Sequence, residues 1–172
     1  MLKPQIIQMQ ERYAAGYGFK TKLTAFEPRS ASTYWTNCKF TSIPAEVYSA
    51  FAAGSPGEVG LFKTEKNKQG NLDYFYGSLV ESFENVPDMA DRVIIPGGEY
   101  AVFETEKLNM AREGTTAFVL DIMALWEEIF EEYLPASPWD FDASRPAYEF
   151  YGSNSAVNED MSMNIFVPVK KK

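Results

Sequence analysis

The chain has 172 residues, 45% of them hydrophobic and 23% charged, a composition that builds one globular domain with a real core and no need of staples. Its formal net charge of −8 argues against binding a phosphate backbone. It has no histidine and one cysteine, which excludes Ser-His-Asp triads, Cys-His dyads, histidine or thiolate zinc sites and any internal disulfide.

The opening MLKPQIIQMQ lacks the apolar core of a secretory signal, and no stretch is long and apolar enough to span a bilayer. A reducing, cytoplasmic setting is the expectation. No glycine-rich phosphate loop occurs, and no cofactor is implied.

Residues 5–19 read as a first strand, interrupted at Gly16 and Gly18. Residues 29–40 read as a helix around Tyr34 and Trp35, with Ser30 or Ser32 as its cap. Ser42-Ile43-Pro44 ends that helix or starts a short one, in which Val47, Tyr48 and Phe51 follow at helical spacing before Gly54. Residues 59–64 and 72–81 form a hairpin around the polar turn at 66–71, where Gly70 is free to take positive φ.

A connector at 83–90 leads into a second round of elements. Two strand pieces within 92–106 flank Pro96-Gly97-Gly98. Residues 115–134 are the clearest helix, with Phe118, Ile122, Trp126, Ile129, Phe130 and Tyr133 on one stripe and Leu134-Pro135 as its stop. A strand at 146–151, a loop at 152–160 and a strand at 161–170 close the chain. Each half therefore reads strand, helix, strand, strand. The expected fold is α+β: duplicated βαββ halves forming one antiparallel-rich sheet, with two helices on one face and a ligand pocket between the halves. Residues 1–172 make a single domain with pseudo-repeats at about 1–86 and 87–172. Tyr13-Ala14 and Tyr100-Ala101 fall at corresponding places in the two.

Five phrases, in order, resemble the GyrI-like family of AraC-type effector-binding domains. They are Asp73-Tyr74-Phe75-Tyr76-Gly77, Ile95-Pro96-Gly97-Gly98-Glu99-Tyr100-Ala101-Val102-Phe103, Glu132-Tyr133-Leu134-Pro135-Ala136-Ser137, Tyr148-Glu149-Phe150-Tyr151, and Asn164-Ile165-Phe166-Val167-Pro168-Val169-Lys170. The chain departs from the family pattern at 139–145, a stretch that looks inserted and is expected to reshape a pocket rim. The resemblance implies a stand-alone protein that binds small molecules, bulky, lipophilic and cationic, without a DNA-binding part. It also leaves open a hydrolase of reactive small molecules, with Glu149 as base or electrostatic stabiliser and Tyr151 as proton donor. A third possibility is an acidic inhibitor module with a protein partner.

Glu149 is the sharpest candidate. Strand alternation alone sends it to solvent, whereas the family places its pocket carboxylate here, where a cation ringed by aromatics would pair with it. Tyr74 and Tyr76 share one face of their strand, and Tyr151 shares the face of Glu149; ordinary sheet contacts are the alternative for each. Trp35 and Trp126 stand one per predicted helix, able to stack on a flat ligand, although the stripe favours core burial for Trp126. Phe166 completes the ligand-binding set. Glu127, Glu128, Glu131 and Glu132 read as a solvated face or an acidic rim. Asp140, Asp142, Glu159 and Asp160 lack metal-loop spacing and read as loop polarity. Cys38 reads as a small core residue, and Lys170-Lys171-Lys172 as a solvated tail. Neither nucleic acid nor membrane is an expected partner.

Overall fold

The structure, a computed structural model, describes residues 2–22, 43–63, 71–156 and 159–172. The helix expected at 29–40, with Trp35 and Cys38, lies outside the described residues, as does the turn at 66–71 up to its last residue, Asn71. So do the side chains of Tyr74 and its strand neighbours at 71–73.

Among the described residues nine strands join in one sheet: β1 (Gln5–Met9), β2 (Arg12–Lys22), β3 (Glu58–Lys63), β4 (Asn71–Val80), β5 (Asp91–Ile95), β6 (Gly98–Glu104), β7 (Trp139–Phe141), β8 (Tyr148–Tyr151) and β9 (Asn164–Lys171). Their order is β1-β6-β9-β8-β3-β4-β2-β5, with β7 beside β9, and every pairing is antiparallel. The two ends of that order are joined through the chain. β1 runs into β2 across Gln10 and Glu11, and β5 into β6 across Pro96 and Gly97. The pairs Met9–Gly98 and Arg12–Ile95 keep a single register through both bends. One long bent ladder thus belongs to both ends of the sheet and curls it.

The strand break falls at Gln10-Glu11, not at Gly16 and Gly18, which lie inside β2. Gly16 faces Gly77 of β4 across the ladder. A Cβ on Gly16 would collide with the Tyr76 carbonyl and the Gly77 Cα. Glycine in a strand interior here marks a close approach of two backbones rather than a stop.

Helix α1 (Ala45–Phe51) starts after Pro44, and Gly54 follows it at φ 77°. Helix α2 (Met110–Glu127) opens with a reciprocal cap. The Asn109 side chain accepts from the Arg112 N–H, and the Glu113 carboxylate accepts from the Asn109 N–H. Gly114, at φ 76°, kinks this first turn away from the body of the helix at Thr115. A π-helical segment, Glu128–Tyr133, then leads into a last turn at Leu134–Ala136, so Pro135 does not stop the helix. The wider π turn shifts the phase of the apolar stripe. Its buried members are Phe118, Ile122, Leu125, Ile129 and Leu134, while Phe130 is 38% exposed and stacks on Trp126.

Both helices lie on one face of the sheet. α2 covers Ala101, Phe103, Ile165 and Val167, and α1 covers Ala15 and Tyr17. The other face closes on its own core of Tyr100, Tyr148, Phe75, Leu61, Val59 and Ile95. These are two βαββ halves of an α+β fold. The Tyr-Ala correspondence is out of step by one residue. Ala14 shares the inner core with Tyr100, whereas Tyr13 turns to the helix face and packs edge-on against Phe83.

The stretch at 139–145 adds β7 to the end of β9. Beyond it, Asp142 holds Arg145, whose guanidinium lies over the Tyr100 ring and donates to the Val169 carbonyl. Lys172 is not a loose tail: its ammonium donates to the carbonyls of Leu134, Pro135 and Ser137, closing the end of the helix.

Candidate functional site

The two halves meet where β3 pairs with β8. Successive ladder partners set one row of residues on the helix face: Phe103, Ile165, Glu149, Gly60, Tyr76 and Tyr17. The next row carries Tyr151, Glu58, Ser78 and Ala15. Apolar side chains end each flank under a helix, and the polar ones gather in the middle.

Glu149 is 6% exposed. The indole of Trp126, from α2, donates to its Oε1 at 2.9 Å, and the Tyr151 hydroxyl donates to its Oε2 at 2.8 Å. No cation pairs with it among the described residues. Burial pushes its carboxyl above the usual carboxylate range, and the two donors pull partly the other way because they favour the ionised form.

A second carboxylate stands beside it. The Tyr48 hydroxyl, from α1, donates to Glu58 Oε1 at 3.0 Å, and the Tyr76 hydroxyl donates to Glu58 Oε2. Ser78 Oγ lies 3.1 Å from the Tyr48 hydroxyl, and the Tyr17 ring stacks on that of Tyr48 at 6.0 Å. Burial pushes the Tyr48 and Tyr76 phenols well up, so both stay protonated and remain donors. For Tyr76 the negative charges of Glu58 and Glu149 both add to the rise.

Of the residues singled out in the sequence, the structure brings together Glu149, Tyr151 and Trp126, with Tyr76 in the same row. Trp126 is half-buried and turned toward Glu149 rather than closed into the core. Phe166 is not among them. It pairs with Tyr148, one step out of phase with Glu149, and its ring stacks on Tyr148 at 4.6 Å on the opposite face. Trp35 and the Tyr74 side chain lie outside the described residues. Sequence reasoning missed Glu58, Tyr48 and Ser78. The one available signal was period-two alternation, which sets Glu58 and Gly60 on one side of β3.

A cleft of about 830 Å³ opens elsewhere, at the end of the curled sheet, lined by Arg12, Phe51, Leu79, Phe150, Asn164 and Phe166 among others. It contains neither Glu149 nor Glu58. Buried charge and aromatic donors converge instead at the β3–β8 junction, and the cleft offers no comparable set. Asp142 is committed to Arg145 and Asp160 to Lys107. Among the described residues no group of three or more acids, cysteines or histidines is placed to hold a metal ion, and no helix is long and apolar enough to cross a membrane.

A family model for Cass2, the integron-associated effector binding protein, matches residues 6–169. Solved structures share the fold. One is SAV2435 bound to tetraphenylphosphonium, 17% identical, covering 98% of this chain and 94% of that one at a TM-score of 0.71. The C-terminal domain of EcmrR is 12% identical, with 100% and 99% covered and a TM-score of 0.60. The integron cassette protein VCH_CASS2, from the mobile metagenome of Vibrio cholerae, is 15% identical, with 98% and 97% covered and a TM-score of 0.57. A comparison with curated proteins finds no match.

Proposed function

The chain belongs to the Cass2 family of integron-associated effector binding proteins, which is GyrI-like, and on that premise we propose that it binds bulky lipophilic cations on the helix face of its sheet, between the halves, with Glu149 as the countercharge. The observation that carries this reading is a carboxylate 6% exposed with no cationic partner among the described residues. A buried carboxylate left alone is costly, and an organic cation relieves that cost. Trp126 and Tyr151 add aromatic surface beside the charge, which favours a cation over a neutral ligand of the same shape. The tetraphenylphosphonium held by the similar SAV2435 is a ligand of this kind.

Calorimetric titration with tetraphenylphosphonium and with neutral triphenylphosphine oxide tests the reading. The parent should prefer the cation. Glu149→Gln should weaken cation binding at least about tenfold, since truncating one partner of a desolvated pair costs roughly 2–5 kcal/mol and 1.4 kcal/mol is tenfold. The neutral compound should lose much less. Equal loss for both, or no cation binding by the parent, overturns the reading.

Hydrolysis is the second reading, favoured by one contact: the Tyr151 hydroxyl at 2.8 Å from Glu149 places a proton donor on a buried carboxylate. Consumption of a strained or activated ester, lost in Glu149→Gln, would distinguish an enzyme from a binder.

A further inference from the structure

We propose that the ligand of this site carries two cationic centres, with Glu58 as the second anchor; the inference rests on the binding reading above. Glu149 is more than nine-tenths buried on this face and has no countercharge among the described residues, its two oxygens being held by the neutral donors Trp126 and Tyr151. Glu58 has none there either. A single positive charge would satisfy one of them and leave the other.

The geometry separates the two anchors without dividing the site. Glu58 faces Tyr151 across the ladder, and Gly60 faces Glu149, so the two glutamates are diagonal neighbours on adjacent strands. Diagonal positions lie about 7–8 Å apart, and these side chains then diverge. Glu149 leans to Trp126 of α2, and Glu58 leans to Tyr48 of α1. Cationic centres on the order of 10 Å apart or somewhat less would match them. Tyr76, on the next strand, donates to Glu58 and feels the charge of both acids. The four aromatic donors around the acids suit a flat, stiff frame, because a rigid ligand loses less freedom when both ends are held.

Methyl viologen and 1-methyl-4-phenylpyridinium form a matched pair, sharing a two-ring frame and differing in the second charge. Titrated into the parent protein, the dication should bind at least about tenfold more tightly. Glu58→Gln should reduce dication affinity at least about tenfold more than monocation affinity, and circular dichroism melts check that the variant folds. Two results overturn the proposal. One is a parent that binds the dication no better than the monocation, which needs no variant. The other is a Glu58→Gln variant that weakens both equally or neither. Tetraphenylphosphonium separates the two readings. If the parent binds it and the dication shows no advantage, only the second anchor fails. If the parent binds neither it nor the viologen, the binding reading itself fails.

Discussion

Gly60 of β3 pairs across the ladder with Glu149 of β8, and the register runs outward from this pair in both directions, Val59 to Phe150 and Leu61 to Tyr148. At this pair one half contributes a residue without a side chain and the other a carboxylate. The carboxylate has no cross-strand neighbour of its own row on that side until Tyr76, one strand further on.

Replacing Ile122 with Asp should destabilise the protein severely. Ile122 is 8% exposed in the core between α2 and the sheet. The variant buries an unpaired charge there, a loss of about 3–5 kcal/mol. For a chain of this size that lowers the melting temperature by roughly 6–20 °C. Leu120→Asp is the control, because Leu120 is 51% exposed and should change stability by about 0.5 kcal/mol or less. Similar melting temperatures for the two variants would mean that the buried stripe is misplaced.

Gly16→Ala should cost about 1–3 kcal/mol, because its Cβ meets backbone atoms of Tyr76 and Gly77 that cannot turn aside as a side chain can. The strain falls on the β2–β4 ladder, two strands from Glu149. Gly54→Ala makes a useful comparison. Nothing stands within 4 Å of its Cβ, so only the backbone preference at φ 77° is lost, about 1–2 kcal/mol. Urea unfolding of both variants at one temperature decides between crowding and conformation. A Gly16→Ala protein as stable as the parent would show that the two strands can part freely.

Much of this fold could be read along the chain, and the limits of that reading have physical reasons. The strands and α2 follow from local periodicity, and Thr115 does begin the straight part of the helix because Gly114 kinks what precedes it. Glu149 stood out as a charge among aromatics. Which side of β9 faces Glu149 depends on register, and the register matches Ile165 to Glu149 and sets Phe166 on the opposite face. Glu58 was invisible because Tyr48 and Tyr76, its two donors, come from a helix and a neighbouring strand. Trp126 fits the helical stripe by spacing, but the members buried ahead of the π turn are Phe118, Ile122 and Leu125, and from the edge of that stripe the indole of Trp126 reaches Glu149.

Stability should fall as pH rises from the ordinary carboxylate range toward neutrality, and Glu149→Gln should flatten that slope. Burial raises the native pKa of Glu149, so over this window the folded chain keeps a proton that the unfolded chain has released. Where the native state binds more protons, stability decreases with pH. The decrease begins near the unfolded value and ends once the native group has also ionised. At neutral pH the variant should be at least as stable as the parent. Chemical denaturation between about pH 4 and pH 8 measures both slopes. A parent whose stability does not fall relative to the variant's through this window would mean that Trp126 and Tyr151 offset burial.

The same proton should be expelled when a lipophilic cation binds. In the empty protein burial raises the pKa of Glu149 and so extends its neutral form to higher pH, whereas a bound cation favours the carboxylate. Trp126 and Tyr151 are already oriented as donors to both oxygens, so ionisation requires no rearrangement of either. Affinity for tetraphenylphosphonium should therefore rise with pH, by at most about tenfold per unit for one linked proton, and level off above the native pKa of the empty site. Titration in buffers of different ionisation enthalpy should show release of up to one proton per ligand on the rising limb. Glu149→Gln should bind weakly, with no proton released from this position and a flat pH profile. The neutral triphenylphosphine oxide should show no such rise in the parent, because it gains nothing from the carboxylate. A parent that binds the cation with the same affinity across the range, and releases no proton, would show that Glu149 is already ionised in the empty site.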